Sequence, residues 1–82
     1  MKSIYSDVME GLKNEKTKIA QKAINILEEE RITGIVEKDG VFWFESHQYG
    51  NDCPQYIYEY LIKFIKRKFD LKYLGEIGRK IQ

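Results

Sequence analysis

His47, Asp52 and Cys53 are the residues of this chain best placed by type and spacing to do chemistry. A thiol at a helix N-terminus has a lowered pKa, and a nearby imidazole can take its proton. Such a nucleophile pair also needs a group that orients the base and donors for the developing oxyanion. The sequence supplies neither, and it carries no Cys/His family signature. Cys53 is therefore read as a small packing residue, His47 as a loop residue, and the chain as a non-enzyme. One cysteine and one histidine fall short of the three or four ligands of a metal site, so no metal or cofactor is expected. Asp52 with Glu45 or Glu59 would make a carboxylate pair for general acid–base work. Thirteen acidic residues in 82 offer many such pairs, so this one selects nothing.

A second set of residues suits phosphate. Gly75 and Gly78 form a G-x-x-G with Lys72, Arg79 and Lys80 around it. The spacing resembles the loop with which KH domains clamp a nucleic-acid backbone, although the strand order of that fold is not legible here. The chain is also polarised. From Tyr60 onward it has seven basic residues (Lys63, Lys66, Arg67, Lys68, Lys72, Arg79 and Lys80) against Asp70 and Glu76. The first 59 residues carry seven basic and eleven acidic ones. A basic C-terminal third can make about three or four phosphate contacts, with a modest salt dependence. The plainer reading is that Lys66, Arg67 and Lys68 complement the negative end of a helix dipole. With a net charge of +1, bulk charge draws no polyanion.

Nine of the eleven aromatic residues fall between Val41 and Phe69. Tyr and Trp are enriched at protein interfaces because they bring large area and a polar handle at small entropy cost. Six tyrosines and one tryptophan are more than a core of this size easily hides. Tyr49, Tyr58, Tyr73 and Trp43, with Val36 beside Trp43, are accordingly expected at a partner-binding surface. The partner is another protein or a second copy of the chain.

These residues need elements to hold them. Ser3 can cap a helix over residues 3–13, with Ile4, Tyr5, Val8, Met9 and Leu12 on one face and Gly11 or Asn14 ending it. A second helix, from Glu15 to Glu30, turns Ile19, Ala20, Ala23, Ile24, Ile26 and Leu27 to one side. A third is expected over residues 53–68, with Asp52 as its N-cap and Pro54 in its first turn. It places Tyr56, Ile57, Tyr60, Leu61, Phe64 and Ile65 in a broad apolar arc, widened by Tyr58 and Ile62. Residues 71–82 read best as a helical turn or short helix facing Leu71, Leu74, Ile77 and Ile81 inward. The alternative is a third strand over Leu71–Leu74.

Between the second and third helices lies a hairpin. Asp39-Gly40 is the pair that a two-residue type I′ turn favours, since both positions take positive φ. It sets Lys38 opposite Val41, Val36 opposite Trp43 and Gly34 opposite Glu45. On the other face Glu37 meets Phe42 and Ile35 meets Phe44. Both faces carry large apolar groups. One must meet the helices, and the other needs the C-terminal segment, a third strand or another protein.

The chain is too short for more than one domain. Its 33% charged and 43% hydrophobic residues fit a globular protein rather than a disordered one. A lone cysteine, no long apolar run and no signal-peptide pattern predict a cytoplasmic protein. The first dozen residues, MKSIYSDVMEGL, are similar to the start of some small antitoxin-like regulators. That likeness covers about a seventh of the chain, and no helix-turn-helix pattern follows it. The sequence therefore predicts an α+β domain of two N-terminal helices, a β-hairpin, a long central helix and a short C-terminal helix or strand. Its expected function is that of a small non-enzymatic protein binder of inhibitor, antitoxin or adaptor type, which suits a phage or mobile-element origin. The alternative is a nucleic-acid-binding module using the basic C-terminal third.

Overall fold

The computed structural model describes residues 1–29, 32–46 and 54–76. The described elements are β1 (Lys2–Ser3), α1 (Tyr5–Glu15), α2 (Lys18–Glu28), β2 (Ile32–Lys38), β3 (Val41–Ser46), α3 (Gln55–Phe69) and β4 (Lys72–Glu76). They make an α+β fold in which a mixed sheet of order β1-β2-β3-β4 carries a helical layer.

Asp39 and Gly40 both have positive φ, 54° and 86°, and the hairpin takes the register that their turn dictates. Lys38 pairs with Val41, Glu37 with Phe42, Val36 with Trp43, Ile35 with Phe44 and Gly34 with Glu45. The Glu37 carboxylate tightens the turn by accepting from the Gly40 N–H at 3.1 Å. On one face Ile35, Phe42 and Phe44 are fully buried with Val8, Leu12, Leu27, Leu61 and Ile65 of the helices.

The N-terminus departs from expectation. Lys2 and Ser3 form a short strand against Glu37 and Val36, extended when Ile4 N–H donates to the Ile35 carbonyl at 2.8 Å. Only then does the chain turn into α1, so Ile4 occupies the N-cap position with no side-chain cap. Ser3 Oγ accepts from Tyr5 N–H at 3.3 Å, one residue too early to act as the predicted cap. Neither Gly11 nor Asn14 ends α1. Lys16 does, in the left-handed conformation (φ 59°, ψ 34°). Such a backbone costs a side-chain-bearing residue about 1–2 kcal/mol and glycine almost nothing. Against this, glycine loses more chain entropy on folding. Lys16→Gly is thus expected to stabilise the protein by about 0.5–1 kcal/mol, read as a raised Tm in thermal denaturation.

Thr17 then caps α2, its Oγ1 accepting from Ala20 N–H at 3.1 Å. At the far end the Tyr5 hydroxyl donates to the Leu27 carbonyl at 2.6 Å, adding a donor to the last turn of the helix. Tyr5→Phe removes that donor and is expected to cost about 1 kcal/mol in chemical denaturation.

The largest difference lies at the C-terminal side. Asp70 adopts the left-handed conformation (φ 55°, ψ 50°), stops α3 and redirects the chain into β4. Residues 72–76 are therefore a strand, not the favoured helix; residues 77–82 lie outside the described residues. β4 runs parallel to β3, which requires a long crossover, and α3 provides it. The strand lengthens the sheet sideways instead of covering the hairpin's second face. Its pairing is irregular, because Phe42 meets Tyr73 whereas Trp43 meets Gly75, leaving Leu74 as an extra residue. Gly75 has φ 139°, a value that residues with side chains rarely adopt, and so accommodates the bulge.

Candidate protein-binding surface

Strand alternation sends Ile35, Phe42 and Phe44 into the core and their neighbours Val36, Val41 and Trp43 to the opposite side. None of these three, nor Leu74, belongs to the core cluster. Val36 is 9% exposed, Val41 and Trp43 are half-buried, and Leu74 is 58% exposed. The register lays this face out in rows. Ser3, Val36, Trp43 and Gly75 form the middle one, flanked toward the turn by Lys38, Val41 and Lys72. Toward the other end Glu45 stands beside Gly34, its Oε1 so close that a Cβ at Gly34 would come within 2.7 Å. The result is an apolar centre with two lysines at one end and a carboxylate at the other.

Of the five aromatic and aliphatic residues expected at an interface, the structure brings Val36 and Trp43 together. Tyr58 and Tyr73 lie on the helical side of the sheet, half-buried, with their hydroxyls 2.5 Å apart. Tyr58 sits edge-on to Phe44 (5.3 Å), and Tyr73 tilts over Phe42 (5.1 Å) and Phe44 (5.3 Å). Their polar ends face each other, which lets two tyrosines join an apolar cluster without stranding a hydroxyl. The two tyrosines thus pack against the core from the helical side and do not share a face with Val36 and Trp43. Tyr49 lies outside the described residues. Tyr56, expected in the buried arc of α3, is 53% exposed and holds Lys22, whose ammonium donates to its hydroxyl at 3.1 Å. Leu74 was missed in the opposite sense. Its spacing from Leu71 suggested an inward helical face, and only the glycine after it hints at a bulge that turns it outward.

The remaining candidates do not converge. His47, Asp52, Cys53, Gly78, Arg79 and Lys80 lie outside the described residues, so the nucleophile pair has no geometry to describe. Glu45 is on the sheet and Glu59 on an exposed side of α3, where it accepts from Gln55 at 3.0 Å. Gly75 is a strand residue paired with Trp43, unlike the clamp of a G-x-x-G loop. The basic set is divided. Lys63, Lys66, Arg67 and Lys68 project from α3, whereas Lys72 shares the sheet face opposite. Arg67 lies 6.0 Å over the Phe64 ring. Beside it the Tyr60 phenol is raised above its ordinary pKa, chiefly by burial and then by Glu15; Thr17 and Arg67 act in the opposite direction. A raised phenol favours the folded state fully below the unfolded pKa, and that contribution is lost as pH rises past it.

A cleft of about 230 Å³ opens where β1 and β2 meet the ends of the helices, between Lys2, Ile4, Asp7, Glu37, Phe69 and Leu71. Its rim mixes both charges, and the Glu37 carboxylate is already engaged in the turn. Among the described residues no group of three His, Cys, Asp or Glu is placed to hold a metal, and no helix is long and apolar enough to cross a membrane. The chain matches no family model, no curated protein and no solved structure.

Proposed function

We propose that this chain is a small non-enzymatic protein-binding domain that engages its partner through the sheet face opposite the core cluster, which carries no helix among the described residues. The observation that carries the reading is the exposure of Leu74, 58%, beside Trp43, Val36 and Val41. Such aromatic and aliphatic groups in one patch are the anchors around which protein interfaces form. Inhibitors, antitoxins and adaptors work by presenting such a face, and the size of the chain suits a phage or mobile-element product acting in a reducing cytoplasm. The test is capture of a partner by the immobilised chain from its native host. Trp43→Ala should abolish capture while the circular dichroism spectrum stays unchanged, because Trp43 lies outside the core cluster. Capture that survives both Trp43→Ala and Leu74→Lys would sink the reading.

A second reading, nucleic-acid binding, is favoured by Lys63, Lys66 and Arg67. They recur at helical spacing on exposed positions of α3. It predicts a gel shift at low salt that disappears on charge reversal at Lys66, Arg67 and Lys68. No shift at low salt removes it.

A further inference from the structure

The geometry points to a second copy of this chain as the occupant of the sheet face opposite the core cluster, packed sheet on sheet about a two-fold axis through Trp43. The inference rests on the binding role proposed for that face and adds who binds it and in which register.

The argument comes from the spacing of charge along β3. Val41, Trp43 and Glu45 follow one another on the outer face at every second residue. Trp43 is midway between a basic end, where Val41 is flanked by Lys38 and Lys72, and an acidic end, where Glu45 is flanked by Gly34. A two-fold interface uses the same patch on both copies, so the patch must complement itself after rotation. Rotation about an axis lying across the strands inverts their direction. It sets Trp43 over the second copy's Trp43 and Glu45 over the second copy's Val41. Because β3 lies between β2 and β4, each Glu45 then falls between Lys38 and Lys72 of the other copy. The arrangement occurs twice by symmetry. Rotation about an axis along the strands would instead stack four lysines at one end and both glutamates at the other. Like charges across an interface are repulsive, so the first register is selected.

Leu74, the residue that the bulge adds, lies beside Trp43 and extends the apolar centre. Size sets the strength. Three strands of this length present a face of about 15 Å by 20 Å, from the usual strand spacing and rise. Two such faces bury about 600 Å² in all, below the usual size of stable specific interfaces, so the dimer is weak and transient, with a Kd on the order of a hundred micromolar.

Sedimentation velocity of the purified full chain across a concentration series tests this directly. The expected result is a concentration-dependent monomer–dimer equilibrium that weakens with salt. Glu45→Lys and the pair Lys38→Glu with Lys72→Glu should each raise Kd by about tenfold or more. The three changes together reverse both ends and should restore dimerisation, an outcome that loss of folding cannot mimic. A monomer at about ten times the expected Kd overturns the inference, as does a dimer indifferent to Glu45→Lys. Partner capture separates the two claims. If the chain stays monomeric yet captures another protein in a Trp43-dependent way, the self-association fails and the binding role stands.

Discussion

Phe44→Ala is expected to abolish the folded state, whereas Trp43→Ala, one residue earlier, leaves it intact. Phe44 is fully buried and meets the rings of Phe42 at 5.8 Å and of Tyr58 and Tyr73 at 5.3 Å. Truncating a buried phenylalanine costs about 3–5 kcal/mol, through lost burial and the cavity left behind. A chain of 82 residues has a total stability of about 4–12 kcal/mol on the usual per-residue scale. Short chains lie toward the lower end, since they bury a smaller share of their surface. The loss is therefore most of what is available. Far-ultraviolet circular dichroism and a urea titration should show no cooperative transition for Phe44→Ala at room temperature. A midpoint near that of the unmodified chain would mean that the sheet's helical face is not the main core. Trp43 differs because strand alternation puts it on the side opposite the core cluster. Its removal is felt in binding and hardly in folding.

The same alternation explains how much of this protein is legible in its sequence. Asp39-Gly40 fixes the turn, the turn fixes the register, and the register assigns the residues from Gly34 to Glu45 to a face, whereas a shift before Gly34 pairs Ile32 with Ser46 and buries it. From four residues of turn and flank one reads that Phe42 and Phe44 are inside and that Val36 and Trp43 share the other side. The helices are similarly local in their signals, and most of their apolar positions fall where the spacing puts them, Tyr56 excepted. Ile57, Leu61, Phe64 and Ile65 of α3 are all buried.

What the sequence conceals are contacts made at long range. A two-residue strand such as β1 has no periodicity of its own, and it exists because Glu37 and Val36 offer it a ladder. Thr17 as the start of α2 and Lys16 as the end of α1 depend on a residue with a long side chain accepting a left-handed backbone, which propensity argues against. β4 is hidden by coincidence. Leu71, Leu74 and Ile77 recur at helical intervals, while the decisive features are Asp70 in a left-handed turn and a bulge opened by Gly75. The candidate surface inherits this division. Its Val36–Trp43 half comes from the hairpin and is readable. Its Leu74 and Lys72 half comes from β4 and is not. Tyr58 and Tyr73 escaped for the same reason, since their pairing joins α3 to a strand that spacing alone does not reveal.

Gly11 carries the other large expected effect, and for a reason its residue type suggests wrongly. Glycine near a helix end usually marks the stop, yet Gly11 is buried inside α1 and the helix runs on to Glu15. The cause is Phe64 of α3. A Cβ at position 11 would come to 3.1 Å from the ring's Cζ and 3.5 Å from Cε2. The absent side chain is thus what allows α1 to meet that ring. Phe64 has little freedom to give way, being 1% exposed, stacked on Tyr60 at 6.1 Å and covered by Arg67. Two effects oppose each other on substitution. Alanine raises helix propensity by about 1 kcal/mol over glycine. It also demands a shift of a few tenths of an ångström from a well-packed ring, a cost of similar size. Gly11→Ala should consequently change stability by less than about 1 kcal/mol in either direction. Gly11→Val has no such balance, because two further methyl groups must enter the space of the ring itself. Overpacking of this kind costs about 1–3 kcal/mol, and β-branching adds to it within a helix. The expected urea midpoint for Gly11→Val is far below that of Gly11→Ala, and Phe64→Leu, with a smaller side chain, should recover part of the difference. If Gly11→Val unfolds at the same urea concentration as Gly11→Ala, the Phe64 ring is not what limits the side chain at position 11.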